Sequence, residues 1–125
     1  MSNHRLKKGP IMRLLTELGL GTSLRRGDYT EAACRAVRDA LWHNSINLAE
    51  LYGFEKTDMR IKVEIGAQHP EGVDLSKVAQ VFPYGQTEIF VVKGGLDIPR
   101  PDGGPNPTIM VNAALSVSFE MERTT

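Results

Sequence analysis

The chain has 125 residues, enough for one domain whose core stands without disulfides or metals. Fifteen basic and fifteen acidic residues balance to a formal charge of zero, so neither nucleic acid nor a membrane surface is an expected partner. The single cysteine, Cys34, excludes an internal disulfide and a paired-cysteine metal site and suits a reducing, cytoplasmic setting.

Residues 1–9 read as a flexible basic tail, because no apolar run of secretory-signal or membrane-spanning length follows them. A single domain is expected over residues 10–125. From Ile11 to Leu20 the sequence alternates, with Met12, Leu14, Leu18 and Leu20 on one side and Arg13 and Glu17 on the other, the period of a half-buried strand. Asp28 and Glu31 have capping-box spacing, so a helix is expected to begin at Tyr29, its stripe made by Tyr29, Ala33, Ala36, Val37, Ala40, Leu41 and Asn44. Small alanines allow that helix to lie close to a sheet.

Met59, Ile61, Val63 and Ile65 alternate with Arg60, Lys62 and Glu64 as a second strand. Pro70 to Gly72 reads as a turn, and Asp74 caps a short helix running to Val81. Gln86 to Lys93 is the third strand. Thr108 to Glu120 is the fourth, with Ile109, Val111, Ala113, Leu115, Val117 and Phe119 on one face. The order β-α-β-α-β-β predicts an α+β two-layer sandwich, a four-stranded mixed sheet with both helices on one face. The last two strands are expected as an antiparallel pair, and the first two, if parallel neighbours, would be joined by a right-handed crossover. The opposite face of the last strand carries Met110, Asn112, Ala114, Ser116 and Ser118, suited to solvent or to another subunit, and a homo-oligomer, a trimer or larger ring, is the expectation.

The stretch GLGTSLRRGDYT, residues 19–30, is the first candidate site. Strand ends and helix starts gather backbone N–H groups and a favourable dipole, and the two arginines add full charge. An anionic group would then be held by Gly19, Gly21, Arg25, Arg26, Asp28 and Thr30, with Ser23 or Thr22 beside the reacting atoms of a small-molecule ligand. Alternatively the glycines form a tight turn, Asp28 only caps, and the arginines face water. No cofactor is expected, since a GxG pair lacks the lysine or third glycine of nucleotide loops. The second candidate is GGLDIPRPDGGPNP, residues 94–107, with four glycines and four prolines, too long for a plain connection. Its Asp97, Arg100 and Asp102 could pair with the arginines of the first stretch. His43 and His69 read as surface histidines with no metal partner at ligand spacing, Lys62 and Lys93 as solvated strand lysines, Cys34 as packing and Trp42 as a core or interface anchor.

These residues, with Asn44-Ser45, Val73-Asp74, Pro83-Tyr84-Gly85 and Gly94-Gly95-Leu96, resemble a conserved hypothetical family named after a Listeria open reading frame, over residues from about Leu14 to Phe119. The family pattern GxGxDxHGxDxT is matched by Gly19, Gly21, Asp28 and Thr30, while Ser23, Arg25 and Arg26 stand where it has Asp, His and Gly. An Asp and a His close together could bind a metal or move protons, and Ser and Arg cannot do the same acid–base work near neutral pH. The resemblance thus implies a divergent member, either turned toward anion binding, with hydrolase or lyase chemistry, or serving as a structural or regulatory subunit that forms a hetero-oligomer with a paralogue retaining Asp and His. No reaction is established for the family. In outline it is similar to YjgF-like and ring-opening cyclic-amide hydrolase units, which implies a site between subunits and a cyclic amide as a second ligand class.

Overall fold

The computed structural model describes residues 8–41, 59–82 and 85–122. Its elements run β1 (Lys8–Ser23), α1 (Tyr29–Leu41), β2 (Met59–Ala67), a single 3₁₀ turn (Pro70–Gly72), α2 (Leu75–Ala79), β3 (Gln86–Lys93), β4 (Leu96–Ile98) and β5 (Thr108–Glu122). Among the described residues the architecture is α+β, with one mixed sheet and two helices. The sheet has five strands rather than four, because the long Gly/Pro-rich stretch contains β4. Lys8 and Gly9 of the expected tail belong to β1, and residues 1–7 lie outside the described residues, as do Trp42, His43, Asn44, Ser45, Pro83 and Tyr84.

Strand order corrects two pairings. β5 lies between β1 and β2, antiparallel to both, and β3 lies parallel to β2 at the other side, giving the order β1-β5-β2-β3, with β4 against the start of β5. The expected β3–β5 pair is replaced by β4–β5, and β1 and β2 are not neighbours. The physical reason is burial: Ile109, Val111, Ala113, Leu115 and Val117 form an unbroken inward row, and such a row is covered along its whole length in the middle of a sheet.

Those side chains join Ile61, Val63 and Ile65 of β2, Val78 of α2 and Ala32, Ala33, Ala36, Val37 and Ala40 of α1 in the core. β1 presents the face opposite to the one its leucines suggest. Leu18 and Leu20 point away from α1, with Leu18 67% exposed, while Gly19 and Gly21 face the helix. A Cβ on Gly19 would stand 2.1 Å from the Ala36 carbonyl oxygen, and one on Gly21 2.1 Å from that of Ala32. Helix and strand therefore meet backbone to backbone, a contact that only glycine allows.

The first turn of α1 is fixed from three sides. The Glu31 N–H donates to Asp28 Oδ1 at 2.9 Å, as the capping spacing predicts. The reciprocal half of the box is absent: the Asp28 N–H donates to Ser23 Oγ, and the Glu31 carboxylate faces Arg26 and Arg35 instead. Thr30 Oγ1 donates to the Gly72 carbonyl and accepts from the Asp74 N–H, tying α1 to the start of α2. Asp74 caps α2 through the Ser76 and Lys77 N–H groups, and its bonds to Ser76 hold the carboxyl below its usual range.

Candidate functional site

Several residues of the 19–30 stretch already have work within the fold. Ser23 is 1% exposed and its hydroxyl serves the Asp28 N–H. The Thr22 carbonyl accepts from Arg35, and the Arg25 carbonyl from the Asn106 side-chain amide. Arg26 lies 3.8 Å from Glu31 and remains largely exposed. Gly19 and Gly21 pack on α1, while Asp28 and Thr30 hold its first turn. The stretch is a closed junction between strand and helix.

The loop after β4 also departs from expectation. Arg100 pairs within its own turn with Asp102, at 2.5 Å, and Asp102 in turn accepts the Gly104 N–H. That backbone bond and the guanidinium hold the Asp102 carboxyl below its usual range. Neither acid of the loop reaches Arg25 or Arg26 in the described contacts; Asp97 turns toward α1.

Asp97 is the centre of a cluster built from four elements. Tyr29, the first residue of α1, donates its hydroxyl to Asp97 Oδ2. His69, at the carboxyl end of β2, places Nε2 3.8 Å from the same oxygen and Nδ1 3.4 Å from Glu71 of the 3₁₀ turn. The Tyr29 and His69 rings meet edge to face at 5.5 Å. Gln68 donates to the carbonyls of Gly94 and Gly95, both at 3.1 Å, fixing the chain that delivers Asp97. Gly95 has φ +62°, and a Cβ there would strike the Met110 carbonyl at 2.2 Å, so the bend into β4 requires glycine.

Burial pushes the Tyr29 phenol up to about 12, helped by its bond to Asp97 and the charges of Asp97 and Glu71. Tyr29 is thus a permanent proton donor at neutral pH. The His69 side chain is 60% exposed, so solvent or a ligand can reach it. Asp97 Oδ1 is shielded from solvent and has no hydrogen-bond partner among the described residues. A buried carboxylate oxygen in that condition is a demand for a donor. The site sits at the carboxyl ends of the parallel pair β2 and β3, where open sheets collect ligands.

Sequence spacing missed this cluster, since Tyr29 at the start of α1, His69 after β2 and Asp97 in β4 meet only once the whole sheet and α1 have packed. A faint signal exists in His69-Pro70-Glu71, an imidazole and a carboxylate two residues apart. Among the described residues, no group of three or more His, Cys, Asp or Glu side chains is placed to hold a metal ion. Cys34 is buried, and desolvation raises its thiol against the opposing pull of Arg38. Among the described residues, no helix is long and apolar enough to cross a membrane.

No curated protein matches the chain. Among solved structures, it is similar to a FtsZ-like protein of unknown function from Nostoc punctiforme, 30% identical, with a TM-score of 0.79 over 91% of this chain and 99% of that one. Residues 13–117 match the model of the family described as "Conserved hypothetical protein (Lin0512_fam)", and the chain belongs to that family.

Proposed function

We propose that this protein binds a small molecule at the Tyr29–His69–Asp97 cluster, and that the ligand presents an amide or ammonium N–H to Asp97. The observation that carries the reading is the unpartnered, solvent-shielded Asp97 Oδ1. Two carboxylates, Asp97 and Glu71, make the cluster a poor place for an anion and a good one for a cyclic amide or amine. His69 stands beside both carboxylates and open to solvent, an imidazole placed for the proton transfers that amide hydrolysis or elimination needs. The proposed ligand site thereby lies around Tyr29, at the end of the 19–30 stretch, rather than at Arg25 and Arg26.

Thermal melts with 2-pyrrolidone, hydantoin, simple primary amines and matching carboxylates test this. The expected outcome is a rise in Tm with the amides or amines that Asp97→Ala abolishes and the double change Arg25→Ala, Arg26→Ala leaves intact. A rise confined to carboxylates, or one lost with the arginines and kept without Asp97, overturns it.

A second reading, a structural or regulatory subunit that assembles with a paralogue keeping Asp and His in the 19–30 stretch, is favoured by one observation. Ser23 is committed to the Asp28 N–H, so its position serves the fold rather than chemistry. Co-expression with such a paralogue should yield a mixed oligomer; recovery of separate homo-oligomers excludes it.

A further inference from the structure

Two arms of the chain bring His69 and Asp97 together. β2 ends at Ala67 and the chain leaves through Gln68, His69 and the 3₁₀ turn toward α2, while β3 ends at Lys93 and the chain enters β4 through Gly94 and Gly95. Where the arms cross, a Cβ on Gly94 would stand 3.0 Å from the Gly66 Cα, so the backbones are in contact. The Gly94 N–H donates to the Ala67 carbonyl at 3.0 Å, and the Gln68 amide serves the Gly94 and Gly95 carbonyls. His69 is the next residue after that clamp. Its side chain is held loosely, 3.4 Å from Glu71 and 3.8 Å from Asp97, both beyond a good hydrogen bond. The ring is therefore placed by the backbone that carries it.

The other end of this arm, residues 68–74, is held by one hydroxyl. Thr30 Oγ1 donates to the Gly72 carbonyl at 3.2 Å and accepts from the Asp74 N–H at 2.8 Å. Thr30 follows Tyr29 in the first turn of α1, so the same two bonds keep the 3₁₀ turn on the Tyr29 ring, where a Cβ on Gly72 would meet Tyr29 Cδ2 at 3.0 Å. The anchor itself is firm, because Asp28 caps that turn of the helix. On the reading that this cluster is the ligand site, we propose that Thr30 is a positioning residue, its hydroxyl setting the 68–74 arm against α1 so that His69 meets Tyr29 and Asp97, with Gln68 holding the far end.

Thr30 does this through its oxygen. Valine has the same branched shape but neither donor nor acceptor, and it leaves the Gly72 carbonyl and the Asp74 N–H to water. Both bonds are solvent-exposed, so the fold survives their loss and the arm loosens. Serine lacks only the methyl and keeps both bonds.

Thr30→Val and Thr30→Ser in the full chain, read by NMR and by absorbance, test this. At neutral pH the wild type should show cross-relaxation between the Tyr29 and His69 rings, whose centroids lie 5.5 Å apart. Thr30→Val should lose it. Its Tyr29 should also ionise earlier, between the ordinary 10 and the wild-type value of about 12, because the arm buries the ring and carries Glu71. Thr30→Ser should keep both properties. Gln68→Met, which frees the other end of the arm, should behave as Thr30→Val does, so the test stands even where Thr30→Val fails to fold. Circular dichroism reports the fold of each variant. A wild type without the ring contact, a folded Thr30→Val or Gln68→Met chain with wild-type contact and ionisation, or a Thr30→Ser chain that loses both overturns the proposal. None of these readouts uses a ligand, so a wild type that binds no amide or amine sinks the ligand reading and leaves the placement of the arm to be judged separately.

Discussion

At Tyr29, burial and a carboxylate act on the same proton. The unfolded phenol ionises near 10, while the folded one keeps its proton until about 12. The stability that Tyr29 supplies is therefore whole below pH 10 and is lost as the pH rises toward 12. In an absorbance titration, one of the three tyrosines should ionise late, and Tyr29→Phe should remove that late step. Denaturant melts should show the wild type losing more stability than Tyr29→Phe between those two pH values. A normal titration of all three tyrosines would separate Tyr29 from Asp97 and dissolve the candidate site. Ser23 makes the complementary point: its type and place suggest a nucleophile, yet a buried hydroxyl already holding a backbone N–H has little freedom to attack anything.

Among the elements, α1 and β1 are joined by absence of side chain. Ala32, Ala36 and Ala40 on the helix and Gly19 and Gly21 on the strand leave the two backbones in contact, so a single added methyl has nowhere to go. Gly21→Ala should cost about 3 kcal/mol or more, the upper end of overpacking penalties, because carbonyl and amide atoms cannot rotate aside as a side-chain tip would. Urea unfolding checks this. The same change at Gly103, where a Cβ meets nothing within 4 Å, separates the packing effect from loss of glycine as such, although its φ of +76° adds backbone strain. A Gly21→Ala variant as stable as wild type would mean that α1 does not lie where its alanines place it.

For the whole molecule, β5 is the spine. It bonds to β1 on one side and to β2 and β4 on the other, and its inward row is wholly buried. Its amides open only when the sheet comes apart, so Val111, Ala113, Leu115 and Val117 should exchange with deuterium most slowly, near the rate set by global unfolding. β3, with β2 on one side, should exchange faster. Equal protection of β3 and β5 would contradict the strand order.

Local pattern was enough to determine most elements of this protein, β4 excepted. Alternation marked β2 and β5, Ile, Phe and Val content marked β3, and the Asp28–Glu31 and Asp74 spacings marked the starts of α1 and α2, because composition, periodicity and caps depend on neighbours in sequence. The family was legible too, in residues scattered from the first strand to the last. What no local pattern held was which strands become neighbours, which face of β1 meets the helix, and that Tyr29, His69 and Asp97 converge. Alternation states that a strand has two faces without saying which is inside; the close fit of α1 against Gly19 and Gly21 made that choice. The site likewise depends on residues 28 and 40 positions apart, joined by a crossover and a glycine bend, and such long-range contacts are set by packing of the whole chain.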